Sequence, residues 1–137
     1  MLIVVDVNVV LSSLLGKGDS FNVFSINHIF NKFEFVAPEF LLTELENHKE
    51  EFFWRSKLNK DEFEEVLQFV IKQISIIPKS EFSEYIDKSK ELLLKEQKDA
   101  PYVALALKLN CPIFSGDRKL RKISPVKILT PKEMLSM

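Results

Sequence analysis

The chain has a single cysteine, Cys111, among 137 residues. That excludes an intrachain disulfide and a cysteine zinc site. Cys111 reads as a small apolar filler, and the lack of disulfides suits a reducing cytoplasm. Histidines number two, His28 and His48. Each stands alone in a helical stretch, so there is no H-E-x-x-H motif. With three glycines in all, there is no Gly-rich phosphate loop and no G-x-S-x-G turn. No apolar run reaches membrane-spanning length. The first strand is expected from Leu2, which leaves no room ahead of it for a signal peptide. Internal repeats, low-complexity tracts and an obvious domain boundary are absent too, so a single domain over 1–137 is expected.

Net charge is also small, −1, which argues against a generally sticky nucleic-acid binder. Its distribution is uneven. Residues 1–99 carry 12 Lys and Arg against 18 Asp and Glu, a net of −6. Residues 100–137 carry 7 against 2, a net of +5. The basic end suits a phosphate backbone, although a solvated lysine-rich surface gives the same count.

What is present is organised around Leu2–Val10. Its run Leu-Ile-Val-Val reads as a strand buried on both faces of a parallel sheet. It ends at Asp6, and the carboxyl ends of such strands face the ligand crevice of open α/β sheets. Further strands are expected at Glu34 to Ala37, Ser75 to Ile77, Pro112 to Ser115 and Val126 to Leu129. Helices are expected between them. One covers Val9 to Leu15. After a break at Gly16-Lys17-Gly18, Asp19 or Ser20 is placed to cap a second, which runs to about Lys32. Pro38 is placed to open a third, with Leu41, Leu45, His48 and Phe52 on one face. Asn59 and Glu62 form a capping pair for a fourth, striped by Phe63, Val66, Leu67, Val70, Ile71 and Ile74. Glu81 to Gln97 reads as one long helix. Asp99-Ala100-Pro101 opens an apolar helix to Leu109. Thr130, Pro131 and Glu133 make a closing capping box. Trp54 and the twelve Phe are assigned to the core, with an exposed few available to stack on RNA bases. The alternation implies an α/β fold, a mostly parallel sheet of four or five strands with helices on both faces.

Four acids are candidates for chemistry. Asp6 and Asp117 each follow an apolar strand, so a parallel sheet brings both to one edge. Asp99 begins the apolar helix from that same edge. Glu44 lies roughly 60° from the centre of its helix stripe at 100° per residue. Taken singly, each has an ordinary structural role: Asp6 and Asp99 as helix caps, Asp117 in a turn, Glu44 on the surface. Together they would repel, and hard divalent cations, Mg²⁺ or Mn²⁺, supply the missing charge. Such a site suits in-line phosphoryl chemistry.

At these residues the chain resembles the PIN-domain family of ribonucleases, and among them the VapC-type toxins. The matching segments are VVDVNVVLSSLL, PEFLLTELENH, KDAPYVALALKLNCPIFSGDRKL and VKILTPKEML. The resemblance implies catalytic and metal-binding roles for Asp6, Glu44, Asp99 and Asp117, with Asn8 and Ser115 in support. It also implies a Mg²⁺- or Mn²⁺-dependent endoribonuclease, a homodimer and an antitoxin that blocks the site. Two positions depart from the pattern: Val7 follows the first acid, and Lys119 stands where many members carry another acid. Arg118, Lys119, Arg121 and Lys122, directly after Asp117, are the candidate contacts to RNA phosphates. The alternatives are a catalytically silent PIN-like RNA- or protein-binding module and an aspartyl-nucleophile phosphatase. The latter wants Asp where this chain has Asn8.

Overall fold

A computed structural model describes residues 1–15 and 18–137. Five parallel strands form one sheet: β1 (Leu2–Val5), β2 (Glu34–Pro38), β3 (Ile74–Ile77), β4 (Ile113–Phe114) and β5 (Ile128–Leu129). Their spatial order is β3-β2-β1-β4-β5. The chain therefore steps outward from β1 to β3, then returns to β1's other side to lay down β4 and β5. Strand order reverses between β1 and β4, and the carboxyl ends of that pair open the crevice of a doubly wound sheet.

Eight α-helices connect and cover the strands among the described residues: α1 (Val7–Ser13), α2 (Asp19–Phe30), α3 (Phe40–Ser56), α4 (Lys60–Ile71), α5 (Ile86–Leu93), α6 (Ala100–Leu109), α7 (Arg118–Ile123) and α8 (Pro131–Leu135). The sheet faces are apolar on both sides, as continuous Val/Ile runs require. Ile3 pairs in register with Phe35, and Val5 with Phe114, so these four side chains share one face. Phe24 of α2 packs there, 5.1 Å from the Phe35 ring and 5.8 Å from that of Phe114. Helix α6 lies against β1, β2 and β4, with α5 packed on it. Tyr102 to Ala106 are buried without exception, which explains why that helix carries no polar stripe.

Several local expectations are borne out. The Asn59/Glu62 and Thr130/Glu133 capping boxes both form with reciprocal hydrogen bonds. Others need correction. Pro38 closes β2, and α3 begins only at Phe40. Ile74 belongs to β3, and His48 is exposed. The first helix starts at Val7, two residues early, because the sheet ends at Val5. Gly18, not Asp19 or Ser20, occupies the cap position of α2; Gly16 and Lys17 lie outside the described residues. Glu81 to Gln97 is not one helix. Short 3-10 turns precede α5 and follow it, and Leu94 adopts φ 53°. The break lets α5 and its flanking turns pack against α6. Trp54 is 71% exposed, since α3 extends beyond the sheet it covers. No helix among the described residues is long and apolar enough to cross a membrane.

Candidate functional site

The β1–β4 junction builds the centre of the site. The Asp6 backbone N–H donates to the Phe114 carbonyl at 3.1 Å, one step beyond the paired strands. This sets Asp6 beside Ser115, and the Ser115 hydroxyl donates to Asp6 Oδ2 at 2.6 Å. The same hydroxyl accepts from the Asp117 N–H at 3.1 Å. Asn8 Oδ1 accepts from the Gly116 N–H at 3.3 Å. Asp6, Asn8, Ser115 and Asp117 are thus one hydrogen-bonded unit across two strand ends. Asp6 stands at the N-cap of α1 but makes no side-chain capping bond. Its carboxylate points to Ser115 instead.

Asp117 also serves the local backbone. Its Oδ1 caps α7 by accepting from the Lys119 and Leu120 N–H groups, at 2.9 and 3.2 Å. The expected turn is therefore the start of a six-residue helix, which carries Arg118 to Ile123.

Asp99 sits at the N-cap of α6 without a side-chain capping bond. It is buried, and its Oδ2 has no hydrogen-bond partner among the described residues. A buried, unpartnered carboxylate oxygen is costly unless something charged or polar meets it. Burial pushes the Asp99 carboxyl up to about 7, with Asp6 and Asp117 adding repulsion and Glu44 a further small part. Burial likewise raises Asp6 to about 6, against the lowering effect of the Ser115 bond and with repulsion from Glu44 and Asp117. Asp6 and Asp99 thus each feel repulsion from Glu44 and Asp117, and Asp99 from Asp6 as well. Glu44, half-buried on α3, accepts a hydrogen bond from the Tyr102 hydroxyl of α6. Tyr102 is fully buried. Its phenol is pushed far up from its ordinary value, first by burial and then by Glu44.

Tyr102 was not among the residues singled out from the sequence. Its signal was there: it falls three residues after Asp99 and is the one hydroxyl in Ala100–Leu109. Residues three apart share a helix face. Of the four basic candidates, Arg118 and Arg121 line a cleft of about 600 Å³ with Asp117. Arg121 also pairs with Glu133 at 3.0 Å. Lys119 and Lys122 are exposed outside that lining. Lys132 on α8, which the sequence reading missed, joins it.

A family model for the PIN domain matches residues 4–135. The chain belongs to the PIN-domain family. Among solved structures, this PIN domain is similar to a chain in a crystal structure of VapBC2 from Rickettsia felis bound to a DNA fragment from their promoter. The TM-score is 0.68 at 13% identity, and the match covers 95% of this chain and 98% of that one. At that identity the likeness is one of fold. No curated protein matches the chain in sequence.

Whether the cluster of this PIN domain fits a divalent cation turns on its donors. All are carboxylates, the hard oxygen ligands that Mg²⁺ and Mn²⁺ take, and Asp99 offers a buried oxygen with no other partner. Among the described residues no group of three or more His, Cys, Asp or Glu side chains is arranged to hold a metal ion. A cation here would be held by one or two of the carboxylates and by water, as Mg²⁺ commonly is.

Proposed function

We propose that this PIN domain is a Mg²⁺- or Mn²⁺-dependent endoribonuclease, of the kind that acts as the toxin of a toxin–antitoxin pair. Asp6, Glu44, Asp99 and Asp117 are the proposed cation-holding and catalytic residues. The observation that carries this reading is that the Asp99 carboxyl is raised by all three of the other acids. Asp6 and Asp99 hold protons near neutrality, chiefly because they are buried and further because neighbouring acids repel them, and such a pair is poised to exchange protons for a cation. When bound, the cation supplies charge neutralisation, Lewis acidity and an activated water for phosphodiester hydrolysis.

The chain's own residues do the rest. Ser115 fixes the Asp6 carboxylate by a short hydrogen bond and takes its own orientation from the Asp117 N–H. Asn8 holds the β4–α7 turn through Gly116. Tyr102 holds Glu44 toward the acids from the opposite wall. The apolar helix α6 behind Asp99 keeps bulk water from that side. Arg118 and Arg121, with Lys119 and Lys122 farther out, would draw in the RNA backbone by sequence-blind contacts. The VapBC2 likeness favours a small antitoxin protein as the regulator of the site, and a homodimer is the proposed working unit.

The test is cleavage of a mixed RNA pool by the purified chain with Mn²⁺, with EDTA and as Asp6→Asn. Metal-dependent products that vanish in the variant, at an unchanged circular-dichroism spectrum, support the reading. Products that persist with Asp6→Asn refute its role. No products under any metal condition favour a silent binding module.

A further inference from the structure

Two clefts flank the acids on the carboxyl edge of the sheet, and only one of them is used above. The arginine cleft follows β4 and β5, through Gly116, Asp117 and Thr130. The second groove, of about 640 Å³, follows β2 and β3 on the other side of β1. It lies between α3 and the α5–α6 turn, and its size is that of a small-molecule pocket. Its lining combines two chemistries. Phe40, Leu42, Ile86 and Pro101 supply apolar surface. Lys79, Lys90 and Lys98 are exposed around it, and none of the three is ion-paired among the described residues. The groove's acid, Glu39, accepts from the Lys79 backbone N–H at 2.8 Å, and the Glu39 N–H donates to the Ile77 carbonyl at 3.1 Å. These bonds, one through the Glu39 side chain and one between backbones, tie the start of α3 to the end of β3 and set the groove's width.

We propose that this groove is a nucleotide subsite: its apolar floor takes the base of an RNA nucleotide neighbouring the scissile phosphate, and its lysines take the adjoining phosphates. The inference rests on the nuclease reading for its substrate class. Three observations join the groove to the acids. Lys98 and Ala100, both in the lining, flank Asp99 in the chain. The Phe40 ring is half-buried and meets the Tyr102 ring edge-on, at 6.3 Å between centroids. Tyr102 in turn holds Glu44. A base stacked on Phe40 therefore presses on the pair that positions one of the four acids. A single strand running from the arginine cleft to this groove along the sheet edge has to cross the β1–β4 junction where Asp6 sits. An aromatic face for a base beside unpaired ammonium groups for phosphate is the usual means of holding single-stranded RNA.

The decisive comparison uses the full chain in EDTA and two fluorescent oligomers, a short RNA of mixed sequence and its fully abasic ribose-phosphate counterpart. Anisotropy should show the base-bearing strand bound about tenfold more tightly. Phe40→Leu should remove most of that preference, and so should Leu42→Asp on the exposed rim. Lys79→Ala with Lys90→Ala should weaken both oligomers alike and reduce the log–log salt slope by about 1.4. Melting curves of each variant establish that the fold persists, and the Leu42→Asp change serves if Phe40→Leu does not fold. An unchanged base preference in both apolar variants overturns the subsite, as does no preference in the parent chain. A preference lost instead with Arg118→Ala and Arg121→Ala puts the base in the other cleft and also overturns it. An acidic apolar peptide that binds here while RNA does not makes the groove a protein-docking site, again against the proposal. Cleavage assays with Mn²⁺ separate the two readings. RNA bound with base preference but never cut sinks the nuclease and leaves the subsite. RNA cut with the same KM and the same base preference by the parent chain and Phe40→Leu sinks the subsite alone.

Discussion

Replacing Asp99 by Asn should stabilise the metal-free protein at alkaline pH and do nothing for it in acid. The Asp99 carboxyl rises from 3.8 to about 7 on folding, chiefly through burial. The folded state thus holds this proton more tightly than the unfolded chain. Its contribution is fully present below about 3.8, declines as pH rises through the window, and is gone above about 7. The ceiling on the loss is about 4 kcal/mol, at 1.36 kcal/mol per pH unit. Asp6 and Asp99 share part of their repulsion, so their titrations are coupled and one substitution relieves only part of it. About 2 kcal/mol is the expected gain for Asp99→Asn at pH 8, or roughly 6 to 8 °C in Tm for a domain of this size. The assay is thermal melting in EDTA at pH 4.5, 6 and 8. Parent and variant should draw together toward pH 4.5, where most of the contribution remains, and separate at pH 8. Added Mn²⁺ should then raise the parent's Tm more than the variant's, since a ligand of the folded state stabilises in proportion to its affinity. Equal Tm values at pH 8 without metal would show that the buried Asp99 oxygen carries no such cost, and the electrostatic account of the cluster would fall.

Three further outcomes are expected. Tyr102→Phe deletes the only donor to the half-buried Glu44 carboxylate among the described residues and should lower stability by about 1 to 2 kcal/mol. It should also weaken Mn²⁺ binding in calorimetry; a variant with unaltered Mn²⁺ affinity would reduce Tyr102 to a packing residue. Arg118→Ala with Arg121→Ala should raise KM for every RNA tested and flatten its salt dependence, while stability changes by less than about 1 kcal/mol because the lost Arg121–Glu133 pair is exposed. Asn59→Ala should cost about 1 kcal/mol through the broken capping box, seen as a lower urea midpoint at constant m-value. A midpoint within error of the parent's would mean that α4 is held by its apolar face alone.

The sequence by itself determined the elements and the order of the acids along them. Strand identity is local: Leu2–Val5 has no polar residue to put outward, and Asn59 with Glu62 carries its own helix start. Those patterns act over a few residues, so a single chain displays them. The sequence also placed Asp6 and Asp117 after strands, which with a parallel sheet is enough to send both to one edge. What it did not contain was the strand order. Only the tertiary structure put β4 next to β1, and with it the Ser115–Asp6 bond between residues 109 apart. The same holds for Tyr102 and Glu44, 58 residues apart. Contacts of that range depend on how helices pack across a twisted sheet, and no periodicity in the chain encodes them. The misread stretch from Glu81 to Gln97 shows the converse. Its helical polarity pattern is real, but the segment breaks into α5 and short turns packed on α6, and tertiary position overrides local propensity there.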